Sequence, residues 1–237
     1  MKPWLIPLAI IAAYAVAQML FSGYFFLKSP QLSKQSFAGQ SEHGNKSAPQ
    51  LKLFLAGDSV AAGVGASSFN TSLGGRLANS LAKDHHVIFT NAAVSGSRMA
   101  DLTTIPEERQ DVIVLFIASN DLYHFTSLKQ FEKSTASAME QYSAQGKRVI
   151  LVGPADVGGA TAIPLILKPI YALRWQKYAA IMRTEAKKYG NVAYLYPADY
   201  KEMLKTYGHT EAKDGFHPND SGHKFWADLI LSAIQKQ

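Results

Sequence analysis

A short apolar run leads directly into a turn at residues 51–65, which read LKLFLAGDSVAAGVG. The run is nearly continuous rather than alternating, which is typical of a strand covered on both faces of a sheet. In the turn, the glycines around Ser59 let backbone come close to a ligand, although an ordinary strand-ending turn or a helix N-cap uses the same residue types. The turn contains neither a Gly-x-Ser-x-Gly elbow nor a Gly-Lys-Ser/Thr phosphate loop.

Similar apolar runs recur along residues 51–237, with amphipathic stretches between them. The predicted strands are Leu51–Ala56, Val87–Asn91, Val112–Ile117, Val149–Val152 and Val192–Tyr196. The predicted helices are Leu73–Lys83, Leu128–Gln145, Ile170–Tyr189, Ala198–Tyr207 and Ser221–Ile234. This alternation predicts a three-layer α/β/α domain built on a five-stranded parallel sheet. Such sheets bind ligands at the carboxyl ends of their strands, so the chemistry is expected in the loops that follow them.

The composition narrows the possible functions. Of 237 residues, 47% are hydrophobic and 18% charged, so the chain can bury a core and is not expected to be disordered. Cysteine is absent, which excludes disulfides, thiolate metal sites, cysteine nucleophiles and an acylated cysteine. Residues 1–50 hold four lysines and one glutamate, which account for +3 of the net charge of +6. The remaining charges are dispersed and nearly balanced, so no nucleic-acid partner is expected.

An uncharged segment, Trp4–Leu27, lies near the amino terminus and has only Gln18 and Ser22 as polar interruptions. A helix of this length covers the ~30 Å hydrocarbon core of a bilayer. A cleavable signal peptide would use Leu5–Ala13 as its apolar region and Ala15–Ala17 as its cleavage site. The apolar run continues beyond that site, which favours an uncleaved anchor, and it is too long and uniformly apolar for a buried core helix.

The segment that follows, residues 28–50, is rich in Ser, Gln, Lys and Gly, with only Leu32 and Phe37 as sizeable apolar groups. Such a composition predicts a flexible tether. The expected organisation is an anchor or signal peptide at 1–27, a tether at 28–50 and one α/β domain at 51–237. The three-residue tail before the apolar segment favours an exported, periplasmic or otherwise extracytoplasmic domain. Secretion after signal-peptide cleavage is the alternative.

Three further loops carry candidate functional residues. Gly96 follows the second predicted strand and Asn120 follows the third, so their amide groups could point at a developing oxyanion. Ordinary turn chemistry accounts for each of them alone. Asp214 precedes His217 by three residues, so its carboxylate can hold the ring Nδ1 and leave Nε2 free as a base. A turn that ends in a helix-capping Asn219 is compatible with that role.

The joint occurrence of these four loops resembles the SGNH hydrolase family, also called the GDSL esterases and lipases. The resemblance covers about residues 51–233. The first family block is Gly-Asp-Ser, matched at 57–59, and the fifth is Asp-x-x-His-Pro, matched at 214–218. The third block, Gly-x-Asn-Asp, is matched at 118–121 with alanine in place of glycine. The glycine of the second block is placed at Gly96, which is the weakest of the four matches.

The resemblance implies a flavodoxin-like fold and a serine esterase that cleaves acyl esters or thioesters. Ser59 would be the nucleophile, His217 the base and Asp214 the residue that orients the imidazole. The oxyanion would be held by the backbone amides of Ser59 and Gly96 and by the side chain of Asn120. No cofactor and no metal is expected, and the scattered residues His85, His86, His124 and His223 are expected to be solvated or structural.

The alanine at position 118 departs from the family pattern. Its methyl group costs little if the backbone has φ < 0, and about 1 kcal/mol or more if φ > 0. Because Asn120 is intact, we do not expect this change to inactivate the site.

The substrate is less well determined by the sequence. The apolar segment 162–171 follows the fourth predicted strand, and Leu165 and Ile166 are hypothesised to line an acyl pocket. Packing of this segment as the start of the next helix is an equal alternative. A carbohydrate O-acetyl esterase that acts on exported glycans is the nearest alternative activity. A membrane-tethered, non-catalytic binding or scaffold protein is the alternative of another class.

Overall fold

The computed structural model describes residues 4–27, 36–196 and 205–235. In these residues six strands form one sheet, in the spatial order β1-β3-β2-β4-β5-β6. The strands are β1 (Gly39–His43), β2 (Gln50–Gly57), β3 (His86–Asn91), β4 (Gln110–Phe116), β5 (Gly146–Val152) and β6 (Val192–Leu195). Strands β2 to β6 are parallel, and β1 pairs antiparallel with β3. The carboxyl ends of β2 to β6 therefore lie along one edge of the sheet.

The helices described with bounds are α1 (Leu5–Phe26), α2 (Ser59–Ala62), α3 (Leu73–Leu81), α4 (Ser119–Tyr123), α5 (Leu128–Gln145), α6 (Lys168–Ala186) and α7 (Asp220–Gln235). Helices α3 and α7 pack on one face of the sheet, and α5 and α6 pack on the other. The predicted three-layer α/β/α architecture is thus confirmed, with α1 as the predicted N-terminal apolar helix. Short 3₁₀ turns occur at Phe69–Thr71, Met99–Asp101 and Val157–Gly159.

The continuous apolar run of β2 is explained by burial on both faces of the sheet. Leu53 and Leu55 pack into the core beneath α3 and α7, whereas Phe54 packs into the core beneath α5 and α6. Successive side chains of a strand point to opposite faces, so a strand between two helical layers needs apolar residues throughout. Burying such a side chain contributes about 1.5–3 kcal/mol.

The prediction of five strands was wrong by one. Strand β1 lies within residues 28–50, the segment predicted to be a flexible tether, and extends the sheet beyond β3 from Gly39↔Asn91 to His43↔Val87. Its residues are polar and mostly exposed, so no hydrophobic pattern marks it. Strand β1 forms because the edge of β3 offers unpaired backbone groups, which a neighbouring segment can satisfy whatever its side chains are.

The remaining elements follow their predicted positions closely. Leu128–Gln145 is helical over the predicted range, and α6 begins two residues before the predicted Ile170. The earlier start places Pro169 in the first turn of α6, where its missing N–H costs nothing. The predicted helix Ala198–Tyr207 lies mostly outside the described residues, and only 205–207 are seen to be helical.

His223, near the start of α7, joins three segments of the fold. The ring is buried, its Nδ1 accepts a hydrogen bond from the N–H of Leu73 (3.2 Å), and its Nε2–H donates to the carbonyl of Val64 (3.0 Å). Burial lowers the pKa of His223 to about 4, so the ring is neutral at pH 7. Within residues 4–27, 36–196 and 205–235, no group of three His, Cys, Asp or Glu side chains is arranged to hold a metal ion.

We expect His223 to make the fold acid-sensitive between pH 6.5 and about 4. In this window the unfolded chain binds a proton that the folded chain excludes, so stability falls as the pH falls. The pKa difference between 6.5 and about 4 corresponds to about 3 kcal/mol. The free energy of unfolding can be measured with urea at pH 7 and pH 4. His223→Gln should lose most of the difference between the two pH values, because glutamine can still accept and donate hydrogen bonds but does not titrate. Equal pH dependence in wild type and variant would contradict the assignment.

Candidate active site

The turn that carries Ser59 is held by the neighbouring strand β4. Gly57 has φ +146°, and a Cβ there would lie 1.9 Å from the carbonyl oxygen of Phe116, so this position requires glycine. The N–H of Asp58 donates to that same carbonyl at 3.0 Å. The Asp58 carboxylate in turn accepts the N–H of Val60 at 3.0 Å and caps α2. Ser59 is thereby placed as the first residue of α2, at the carboxyl edge of the sheet.

The two carboxyl groups near Ser59 have different charge states. Burial raises the pKa of Asp58 to about 7, although the hydrogen bond from Val60 and the nearby His217 act in the opposite direction. Burial also acts to raise the pKa of Asp214. There it is outweighed by the hydrogen bond and charge of His217 and by two backbone N–H donors, so the pKa of Asp214 lies below its usual value. At neutral pH Asp214 is therefore fully ionised, whereas Asp58 is only partly ionised.

A continuous hydrogen-bonded path joins Asp214, His217 and Ser59. Asp214 Oδ2 lies 2.5 Å from His217 Nδ1, and Asp214 Oδ1 accepts the N–H groups of Phe216 (3.1 Å) and His217 (3.0 Å). His217 Nε2 lies 3.0 Å from Ser59 Oγ. Because an ionised carboxylate only accepts, Nδ1 carries the proton and Nε2 accepts from the serine hydroxyl. All three side chains are buried, which keeps this orientation fixed.

The loops after β3 and β4 are tied to the Ser59 turn. The N–H of Val94 donates to the carbonyl of Gly57 at 3.1 Å, which places the turn containing Gly96 beside the serine. Gly96 has φ +88°, a conformation that favours glycine. Asn120 Nδ2 donates to the carbonyl of Ser97 at 3.0 Å, which uses one of its two hydrogens. The structure thus brings the predicted Gly96 and Asn120 into the loops around Ser59.

Ala118 adopts the left-handed conformation that its family glycine would favour. It has φ +89° and ψ −4°, is fully buried, and its carbonyl accepts the N–H of Leu122 at 3.1 Å to close the first turn of α4. The strain costs about 1–2 kcal/mol, and burial of the methyl group offsets about 0.8 kcal/mol of it. The alanine therefore keeps the backbone path that presents Asn120, at a small net cost.

A cavity opens beside Ser59 and His217. Its described lining also includes Val60, Ser119, Ala155, Asp156, Val157, Ala160, Tyr196, Thr210, Glu211, Phe216, Pro218, Gly222 and Trp226. These residues were not predicted as a set from the sequence. Residues 155–160 follow β5, so the strand-end rule could have found them, whereas Trp226 comes from the far end of the chain. Leu165 and Ile166 do not line this cavity and are 56% and 54% exposed.

The fold and this site define a class of protein, the three-layer α/β folds with a serine at the carboxyl end of a central strand. The model of the GDSL-like lipase/acylhydrolase family matches residues 55–225. The chain belongs to this family, which confirms the resemblance drawn from its motifs.

Individual relatives are distant. A GDSL-like esterase of Mycobacterium tuberculosis is 23% identical over 197 residues, which cover 78% of this chain and 62% of that protein. The crystal structure of an acetylxylan esterase from Geobacillus stearothermophilus has a TM-score of 0.63 at 20% identity, and the match covers 81% of this chain and 98% of the other. An α/β hydrolase enzyme from the metagenome of Lake Arreo, Spain, has a TM-score of 0.62 at 20% identity, over 78% and 95%. The structural likenesses establish the fold.

Proposed function

We propose that this protein is a serine esterase that hydrolyses acyl ester or thioester bonds, with Ser59 as nucleophile, His217 as general base and Asp214 as the orienting carboxylate. The observation that carries the proposal is the path from Ser59 Oγ to His217 Nε2 (3.0 Å) and from His217 Nδ1 to Asp214 (2.5 Å). This geometry is what a serine hydroxyl needs to become a nucleophile at neutral pH.

The reaction proceeds by two acyl transfers. Ser59 Oγ bonds to the carbonyl carbon while its proton passes to His217 Nε2, and Asp214 stabilises the imidazolium that forms. The oxyanion is held by the backbone N–H groups of Ser59 and Gly96 and by Asn120 Nδ2, and each such donor is worth about 10²–10³ in turnover. His217 gives the proton to the departing alcohol or thiol. A water molecule then attacks the acyl-enzyme by the same proton route and releases the acid.

Covalent labelling tests this assignment. A fluorophosphonate probe should label the wild-type protein and fail to label Ser59→Ala, because the probe traps an activated serine. Ser119→Ala is the matched control: Ser119 lines the same cavity but makes no hydrogen bond to His217, so labelling should persist. If the wild type is not labelled, or if the label survives in Ser59→Ala, the non-catalytic scaffold is the better assignment.

A carbohydrate O-acetyl esterase is the second candidate. The cavity beside Ser59 is bounded by the rings of Tyr196, Phe216 and Trp226 and carries the carboxylates of Asp156 and Glu211, which can accept hydrogen bonds from hydroxyl groups. Such a lining suits a short acyl group on a polar alcohol.

We expect kcat/KM for p-nitrophenyl acetate to exceed that for the octanoate by about tenfold or more, since forcing an oversized chain against packed cavity walls costs about 1–3 kcal/mol. Replacing Leu165 and Ile166 by Ser should leave this ratio unchanged, because both lie outside the cavity. A preference for octanoate that depends on these two residues would restore the acyl-pocket hypothesis.

We further infer that α1 anchors the enzyme in a membrane, with the catalytic domain exported. Ile6–Tyr24 is long and apolar enough to cross a bilayer, with a mean hydropathy of 1.7. Most of its side chains are exposed, unlike those of a buried core helix. A signal sequence has the same composition, so secretion after cleavage is the alternative.

A further inference from the structure

Helix α1 contacts the catalytic domain through the two polar side chains that interrupt its apolar sequence. The Ser22 hydroxyl donates to the carbonyl of Ala162 at 2.6 Å, and Gln18 Oε1 accepts the N–H of Leu165 at 3.0 Å. The two side chains are four positions apart and share one face of the helix. Ser22 is buried by this contact, whereas most of α1 is exposed. The helix therefore docks on segment 162–165 by a defined polar face.

The same segment is joined to the catalytic loop. The N–H of Ala162 donates to the carbonyl of Gly215 at 2.9 Å, and Gly215 directly follows Asp214. Ala160, two residues earlier, lines the cavity beside Ser59. One short stretch of chain thus contacts α1 and the loop of Asp214 and also borders the cavity, so the docked helix lies close to a wall of the cavity.

Apolar side chains are exposed beside this docking point. Leu165, Ile166, Ile170 and Leu173, here called the apolar surface, are 56%, 54%, 45% and 65% exposed. Farther along α6, the exposed side chains become polar at Gln176 and Lys177. The polarity therefore changes with distance from α1, as expected for a surface that passes from lipid to water.

The position of Gln18 along the candidate membrane span agrees with this change in polarity. The candidate span ends at Tyr24, and Gln18 lies six residues earlier, which is about 9 Å along a helix. If α1 crosses the bilayer, the partner of Gln18 in segment 162–165 lies at that depth too. Interfacial elements bury their apolar side chains by about 5–10 Å. The polar groups of Gln18 and Ser22 are paired at this depth, as a membrane environment demands.

We propose that the apolar surface contacts the outer boundary of a phospholipid bilayer, with α1 docked through Gln18 and Ser22 so that the cavity opens beside the membrane. The proposal rests on anchoring by α1 and is independent of which residue is the nucleophile. It makes α1 a fixed support that orients the domain, in place of a helix joined to it only by a loose tether.

The absence of native cysteine allows a direct test on the full chain. Single cysteines at Ile166 and Leu173, labelled with an environment-sensitive fluorophore, are placed in phosphatidylcholine vesicles with and without brominated lipids. We expect quenching at both positions at least threefold stronger than at Lys177→Cys, the matched position farther along α6. A cysteine at Ile10 reports insertion of α1 itself and should be quenched whenever brominated lipids are present.

Removing the hydrogen bonds of Gln18 and Ser22 tests the docking of α1 separately from its insertion in the membrane. Gln18→Leu with Ser22→Ala should leave quenching at position 10 unchanged and reduce it at position 166 at least twofold. If positions 166 and 173 match position 177 while position 10 is quenched, α1 is an anchor and the surface proposal is overturned. If position 10 is not quenched, anchoring and the surface proposal both fail, whereas serine labelling still reports on the esterase.

Discussion

Replacing His217 by alanine is expected to lower kcat/KM for p-nitrophenyl acetate by about 10⁶-fold or to the background rate, as loss of a triad base does elsewhere. His217 Nε2 lies 3.0 Å from Ser59 Oγ, and in the proposed mechanism it accepts the serine proton. Without it the hydroxyl stays protonated, and a neutral hydroxyl is a weak nucleophile. The proposed Asn120 and backbone donors remain, so the residual rate measures what the oxyanion hole and substrate binding contribute together. Initial rates with the purified variant provide the measurement.

The matched control is His85→Ala. His85 lies just before β3, at the edge of the sheet opposite to the catalytic loops, and its Nδ1 contacts the carbonyl of Leu81. Its removal should change kcat/KM by less than about twofold, because surface changes rarely alter the fold. Retention of more than one hundredth of the activity in the His217 variant would contradict the role of His217 as base. An equal loss in both variants would indicate a folding defect instead.

Asp214→Asn carries the second largest expected effect, a loss of about 10⁴ in kcat. The retained amide oxygen can still accept the N–H groups of Phe216 and His217, so the loop should keep its shape. The amide nitrogen, however, would donate towards His217 Nδ1 and force the proton onto Nε2. That tautomer cannot take the proton of Ser59, and no carboxylate remains to stabilise the imidazolium.

Asp156→Asn is the control for Asp214→Asn. Asp156 lines the same cavity, but its carboxylate accepts the N–H of Gly159 and has no bond to His217. We expect its turnover to stay within about threefold of wild type, because asparagine also accepts such a turn hydrogen bond. Similar losses in the two variants would show that charge in the cavity, rather than the histidine tautomer, sets the rate. Circular dichroism of both variants checks that the fold is retained.

Residues at strand ends were the most predictable part of the site. Ser59, Gly96 and Asn120 follow β2, β3 and β4, and parallel strands bring their carboxyl ends to one edge. The lining of the cavity was less predictable, because Thr210 and Trp226 reach it from a loop and a helix with no distinguishing local pattern. Leu165 and Ile166 were hypothesised to line an acyl pocket but do not line this cavity. An apolar segment near the carboxyl edge of a sheet need not enter the cavity.

The sequence by itself determined the succession of strands and helices, the family and the residue types available for catalysis, because hydrophobic period and turn chemistry act over a few neighbouring residues. Only the tertiary structure decided that polar β1 completes the sheet, that Ala118 takes φ +89°, and which side chains bound the cavity. Those outcomes depend on contacts between distant parts of the chain. Ser59 meets His217 across 158 residues, and Ser22 meets Ala162 across 140. Such pairings are set by how whole layers pack, which no local pattern records.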